Sequence, residues 1–161
     1  MRTVIPLLMV MVMFLLNGCA ISVSITNGPE SSGEDAQVKH RLEQIFDAVQ
    51  KKDLTRLDSY HLYGTHFTKF APESSTRMNA EAARKGEHDG ISALEGLSMV
   101  AEDLKVDRFG NVAIATFMLK ADFTVKGSRV SKRSFTTLVF VKDHGEWKIT
   151  HEHISVPTPS P

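Results

Sequence analysis

The sequence predicts an α+β fold, with helices first and an antiparallel sheet after them. Val38, Leu42, Ile45, Phe46 and Val49 recur at the spacing of one helix face. From Leu97 onward the apolar period drops to two, which is the period of strands. The strands so marked are separated by short turns bearing Gly, Asn and Asp, as in an antiparallel meander. Helices followed by a run of such strands is an α+β order, not the alternation of an α/β fold.

The chain opens on a targeting pattern. Arg2 supplies a positive charge, and Val4 to Leu16 is apolar apart from Pro6. That run suits the core of a signal peptide and is short for a membrane span, which needs about 20 residues. It ends in Leu16-Asn17-Gly18-Cys19-Ala20, which resembles the lipobox of bacterial lipoproteins. Cys19 is the only cysteine, so no intrachain disulfide is available, and acylation gives the lone thiol a use. Residues 1–18 are therefore expected to be a signal peptide, and Cys19 the lipidated residue of an exported, membrane-anchored protein. Ala20, rather than Asp, resembles the outer-membrane sorting pattern of Gram-negative lipoproteins. An ordinary cleaved signal or an uncleaved anchor is the alternative.

Residues 19–35, with Gly28, Pro29 and Gly33, have little to bury and read as a tether. Residues 157–161 alternate Pro with Thr and Ser and read as an extended tail. One domain is then expected over residues 36–156.

Within it, Ser32 and Asp35 offer a start for the first helix, and Lys51 and Lys52 suit its last turn. Asp53 can cap a short second helix through Leu54 and Leu57, closed by Tyr60 and His61. Residues 66–70 alternate and predict a short strand. Asn79 can cap a third helix, which Gly86 and Gly90 interrupt. Strands follow at 97–106, 112–125, 130–142 and 147–156. On the third of these, Phe135, Thr137, Val139 and Val141 oppose Thr136, Leu138 and Phe140, so neither face is clearly polar. One face is expected against the helices and the other against a second copy, giving a homodimer.

The total of 19 Lys and Arg equals that of Asp and Glu, so no net charge favours a nucleic-acid partner. No phosphate loop, nucleophile elbow or paired-cysteine site occurs.

The order of elements resembles the nuclear transport factor 2-like superfamily, and within it the SnoaL-like domains. The segments 46–53 (FDAVQKKD), 109–115 (FGNVAIA), 138–141 (LVFV) and 145–155 (GEWKITHEHIS) carry the resemblance. It implies a cone, in which a curved sheet wraps the helices and leaves a pocket at its open end. Members include ketosteroid-isomerase-like enzymes, dehydratases and domains with no known reaction, so the fold does not name a function. By this resemblance Tyr60 or Tyr63 would line the pocket and Asp122 would face it.

His151 and His153 stand at i and i+2 on the last strand and are expected on one face with Trp147, Ile149 and Ser155, directed inward. Three readings of the pair stay open: structural hydrogen bonding, acid–base or ligand-binding chemistry, and a metal site. His66, Lys69, Arg133 and Tyr60 are their candidate neighbours. For a metal, Glu152 would point to the wrong face, and no metal or cofactor is assigned. Glu81, Arg84, Lys85 and Glu87 read as a solvated helix face. The function expected first is binding of a small apolar or amphipathic molecule. An isomerase- or dehydratase-like enzyme with His151 or His153 as base, and a structural dimerisation module, are the alternatives.

Overall fold

A computed structural model describes residues 33–157. The expected signal peptide, Cys19, most of the tether and residues 158–161 lie outside the described residues. Among the described residues no helix is long and apolar enough to cross a membrane.

Helix α1 spans Gly33–Gln50, and Lys51 and Lys52 follow it. Its Val38, Leu42, Ile45, Phe46 and Val49 are buried, the stripe the spacing predicts. Asp53 caps α2 (Leu54–Ser59), its carboxylate accepting the Arg56 backbone N–H at 3.0 Å. Asn79 caps α3 (Ala80–Ala93) in the same way, through Ala82 at 2.9 Å. Helix α3 runs through Gly86 and Gly90 without a break. Both glycines stand where an added Cβ would meet little, so their cost is entropy alone.

The strands are β1 (Thr68–Phe70), β2 (Glu95–Phe109), β3 (Val112–Val125), β4 (Ser128–Asp143) and β5 (Glu146–Ser155). They form one sheet in the order β1-β5-β4-β3-β2. Strands β2 to β5 are the expected meander. Short β1 adds itself parallel to β5 at the edge, pairing Lys69 with Glu152. Two-residue turns at Lys126-Gly127 and His144-Gly145 have positive φ at both positions, the backbone that matches strand twist. Strand β2 is broken by irregularities near Gly96 and Asp103, both at positive φ. Such bulges bend a strand, and the sheet curves around α1 without closing.

The inner face of the sheet carries Ala113, Ala115 and Phe117 from β3 and Leu138 and Phe140 from β4, all buried against α1. Each large side chain buried this way contributes about 1.5–3 kcal/mol. Phe46 meets Phe117 edge to face at 6.1 Å, which joins helix to sheet.

Strand β5 departs from simple alternation. Val139 pairs with His151 and the next residue, Phe140, pairs with Ile149, so Thr150 is an extra residue. Before it, Trp147 and Ile149 face inward. Beyond it the phase is reversed, and Glu152 and Ile154 face inward opposite Leu138 and Thr136. His151 and His153 therefore lie on the outer face, contrary to the inward orientation that strict alternation predicted. On that outer face Phe135 is 53% exposed, among half-buried Ile114, Met118, Val139 and Val141.

Candidate functional site

A cavity of about 250 Å³ lies between α1, α3 and the inner face of the sheet. Ile45, Phe46, Leu97, Met99, Phe117, Leu119 and Leu138 give it an apolar wall, which Ala121 and Phe123 extend along β3. Among this lining four titratable side chains converge: His61, Lys69, Glu87 and Glu152.

Each comes from a different element. His61 follows α2, and the chain there is clipped to β5. Leu62 N–H donates to Ile149 O at 2.7 Å, and Ile149 N–H to Tyr60 O at 2.9 Å. Lys69 faces inward from β1 because its parallel partner Glu152 does so from β5. Glu87 lies on α3 one turn after buried Ala83 and one turn before Ile91, so it belongs to the helix stripe that faces the sheet.

The contacts form a closed set. Lys69 Nζ lies 2.5 Å from Glu152 Oε2 and 2.5 Å from Glu87 Oε1. His61 Nε2 is 2.7 Å from Glu152 Oε1, and His61 Nδ1 is 2.9 Å from the Leu57 carbonyl. A carbonyl only accepts, so Nδ1 carries a hydrogen. An ionised carboxylate also only accepts, so Nε2 facing Glu152 carries one too, and the ring is an imidazolium. Tyr63 stacks flat on this imidazole at 4.8 Å and donates its hydroxyl to Glu87 Oε2 at 2.8 Å.

Electrostatics follow from this geometry. Burial pushes the His61 pKa down, but the hydrogen bond and charge of Glu152 and the charge of Glu87 outweigh it and raise it. Burial would raise Glu152, yet Lys69 and His61 hold its carboxyl well below the usual carboxylate range. Glu87 is raised by burial and by the negative charge of Glu152, against the pull of Lys69 and His61. Lys69 is raised, its burial more than offset by the two carboxylates. Burial and the nearby Glu87 push the Tyr63 phenol up. The set thus holds two cations and two carboxylates that neutralise one another, with Glu87 the carboxylate that takes a proton most readily.

His61, Glu87 and Glu152 offer ligand atoms within 4.8 Å of one another, a spacing that suits a metal ion. The Lys69 ammonium already bridges both carboxylates, however, so a metal there would have to displace a buried cation. Beside the quartet, Thr136 Oγ1 is buried without a hydrogen-bond partner among the described residues, and Thr136 lines the cavity.

Of the residues singled out from sequence, the structure brings only Lys69 into the cavity. Tyr63 supports the quartet from behind. Tyr60 is buried elsewhere, accepting from Arg56 Nε at 2.6 Å with the Arg41 guanidinium over its ring. His66 is exposed in the loop before β1. Asp122 and Arg133 lie on the outer face, Asp122 near Lys120 and Arg133 paired with Glu102. His151 Nδ1 shares a hydrogen bond of 2.7 Å with Thr68 Oγ1, His153 is exposed, and Phe70 lies about 6 Å from both rings. His61, Glu87 and Glu152 were not anticipated as a site. The expected solvated face of α3 holds for Glu81, Arg84 and Lys85 but not for Glu87. The 83, 87, 91 spacing on α3 was the available signal.

The SnoaL-like domain family is matched over residues 38–159. No curated protein matches the chain. Similar solved structures include a candidate dehydratase of the nuclear transport factor 2-like family from Streptomyces avermitilis. It shares 17% identity at a TM-score of 0.71, over 78% of this chain and 96% of that one. A nuclear transport factor 2-like superfamily protein from Salmonella enterica shares 13% at 0.71, over 79% and 93%. The hub of a calcium/calmodulin-dependent protein kinase II from S. rosetta shares 24% at 0.66, over 80% and 100%. At these identities the likeness is one of fold.

Proposed function

The chain belongs to the SnoaL-like domain family, and on that premise we propose that it binds a small apolar or amphipathic molecule in its conical cavity. The observation that carries this reading is an apolar cavity of about 250 Å³ with a self-neutralised quartet in its wall. Pockets of this kind, largely apolar with a few convergent polar groups, are what small ligands occupy. Native mass spectrometry of the full chain, with a thermal-shift screen of small apolar compounds, tests it. Retained or stabilising molecules are expected. No retained mass and no shift across the screen would remove the reading.

The lipobox-like sequence supports an envelope lipoprotein, anchored through Cys19 and residing in the outer membrane if the source is Gram-negative. Incorporation of labelled palmitate that disappears in Cys19→Ala is the matching test. The outer face around Phe135, and the likeness to a kinase hub, support a homodimer.

A second reading, an isomerase- or dehydratase-like enzyme, is favoured by Glu87. Its carboxyl lines the cavity, and burial and the charge of Glu152 raise its pKa, which makes it the readier of the two carboxylates to take up a proton. The base in this reading is Glu87 and not His151 or His153, which stand on the other side of the sheet. An active preparation whose Glu87→Gln variant keeps both rate and affinity would exclude it.

A further inference from the structure

Every nitrogen and carboxylate oxygen of the quartet has at least one partner, and among its N–H protons one is left over. His61 uses both ring nitrogens, one on Leu57 O and one on Glu152. Glu152 accepts at both oxygens, from His61 and from Lys69. Glu87 accepts from Lys69 at one oxygen and from Tyr63 at the other. An ammonium has three protons, and Lys69 Nζ has two partners among the described residues. One donor therefore remains, on a side chain that lines the cavity.

We infer that the ligand of this cavity is a neutral molecule bearing a hydrogen-bond acceptor, of which a ketone or ester carbonyl is the simplest, seated on the third proton of Lys69. The inference rests on the binding reading above and adds the class of ligand. The charge count opposes the charged alternatives. A carboxylate would bring a third anion beside Glu87 and Glu152, with a lysine already shared between them. An ammonium would bring a third cation beside Lys69 and His61, whose charges already neutralise both carboxylates. A ligand with no acceptor would leave the Lys69 proton buried and unpaired, which is costly.

Four probes of similar size separate these cases: acetophenone, isopropylbenzene, benzoate and benzylamine, each titrated against the full chain by calorimetry or ligand-observed NMR. Acetophenone is expected to bind, and benzoate and benzylamine to bind about tenfold more weakly or worse, the scale of one hydrogen bond to a charged group. In Lys69→Met the affinity for acetophenone should fall by a similar factor while isopropylbenzene holds its own. Should that variant fail to fold, the carbonyl stretch of bound acetophenone on the unaltered protein gives the same answer. A shift to lower frequency than in an apolar solvent is expected from an ammonium donor. Benzoate binding as tightly as acetophenone, or a carbonyl stretch unshifted on binding, overturns the inference and leaves the binding reading standing. Failure of all four probes to bind removes the binding reading and the inference together.

Discussion

Lys69 and Glu152 are register partners on the parallel pair β1 and β5, and their side chains meet at 2.5 Å inside the cavity wall. Taking both charges out of water is expensive, and their attraction alone need not repay it. Here each charge has a second partner, Glu87 for the lysine and His61 for the carboxylate, so no lone charge is left buried.

Breaking this set from one side should therefore cost more than any of its bonds is worth. Glu152→Gln or Lys69→Met alone is expected to destabilise the domain by about 3–5 kcal/mol. The double variant should cost less than the sum, with a coupling of about 0.5–3 kcal/mol. Urea denaturation of the four members of the cycle measures it, and simple additivity would contradict the contact.

The quartet also fixes how stability varies with pH. Glu152 is lowered from its ordinary 4.5, so its contribution is complete above pH 4.5 and is lost as pH falls below. Glu87 is raised from 4.5 and His61 from 6.5, so theirs is present at low pH and fades as pH rises through each raised value. The contribution of the cluster should peak near pH 4.5, decline above it as Glu87 gives up its proton, and decline again above pH 6.5 with His61. Denaturation midpoints from pH 3 to 9 report this, and His61→Gln should flatten the alkaline side.

The imidazoles of β5 should be dispensable to the cavity. His151→Ala with His153→Ala is expected to leave ligand affinity within about twofold and cost at most about 1 kcal/mol, since one ring is exposed and the other makes a single bond to Thr68. A large loss of affinity would show that the outer face reaches the ligand.

Phe135 should report on pairing. Phe135→Asp places a charge in the exposed apolar face, and a dimer built there should become a monomer while the affinity of the cavity stays unchanged. Analytical ultracentrifugation distinguishes the outcomes, and a dimer that persists would move the interface elsewhere.

Caps should matter in proportion to their single bond. Asn79→Ala removes the acceptor that satisfies Ala82 N–H and is expected to cost about 1 kcal/mol. Because α3 carries Glu87, the same variant should also weaken ligand binding, which Asp53→Ala on α2 should do less.

The scaffold was legible because its signals are local. The stripe on α1, the caps Asp53 and Asn79 and the Gly-bearing turns each state their element within a few residues. The site was not, because its members meet only through long-range pairing. The alternation over 66–70 marks a short strand but not its partner, so nothing in sequence set Lys69 beside Glu152. Glu87 is surrounded in sequence by exposed charges, which disguised its inward stripe. His61 reaches the site only because the end of α2 hydrogen bonds to β5. The extra Thr150 carries no compositional mark, and it alone reversed the facing of the last strand.

That supernumerary threonine makes pairing register, not residue type, the determinant of what the interior receives. A homologue matching this one letter for letter across 147–155, but zipping flat against its neighbour, would line its funnel with imidazoles and send the carboxylate to the exterior. One that is a single residue shorter would zip flat and keep the carboxylate within. Gain or loss of the bulge at unchanged length is thus a route by which descendants of one scaffold exchange basic for acidic interiors, without altering any of the residues that do the chemistry.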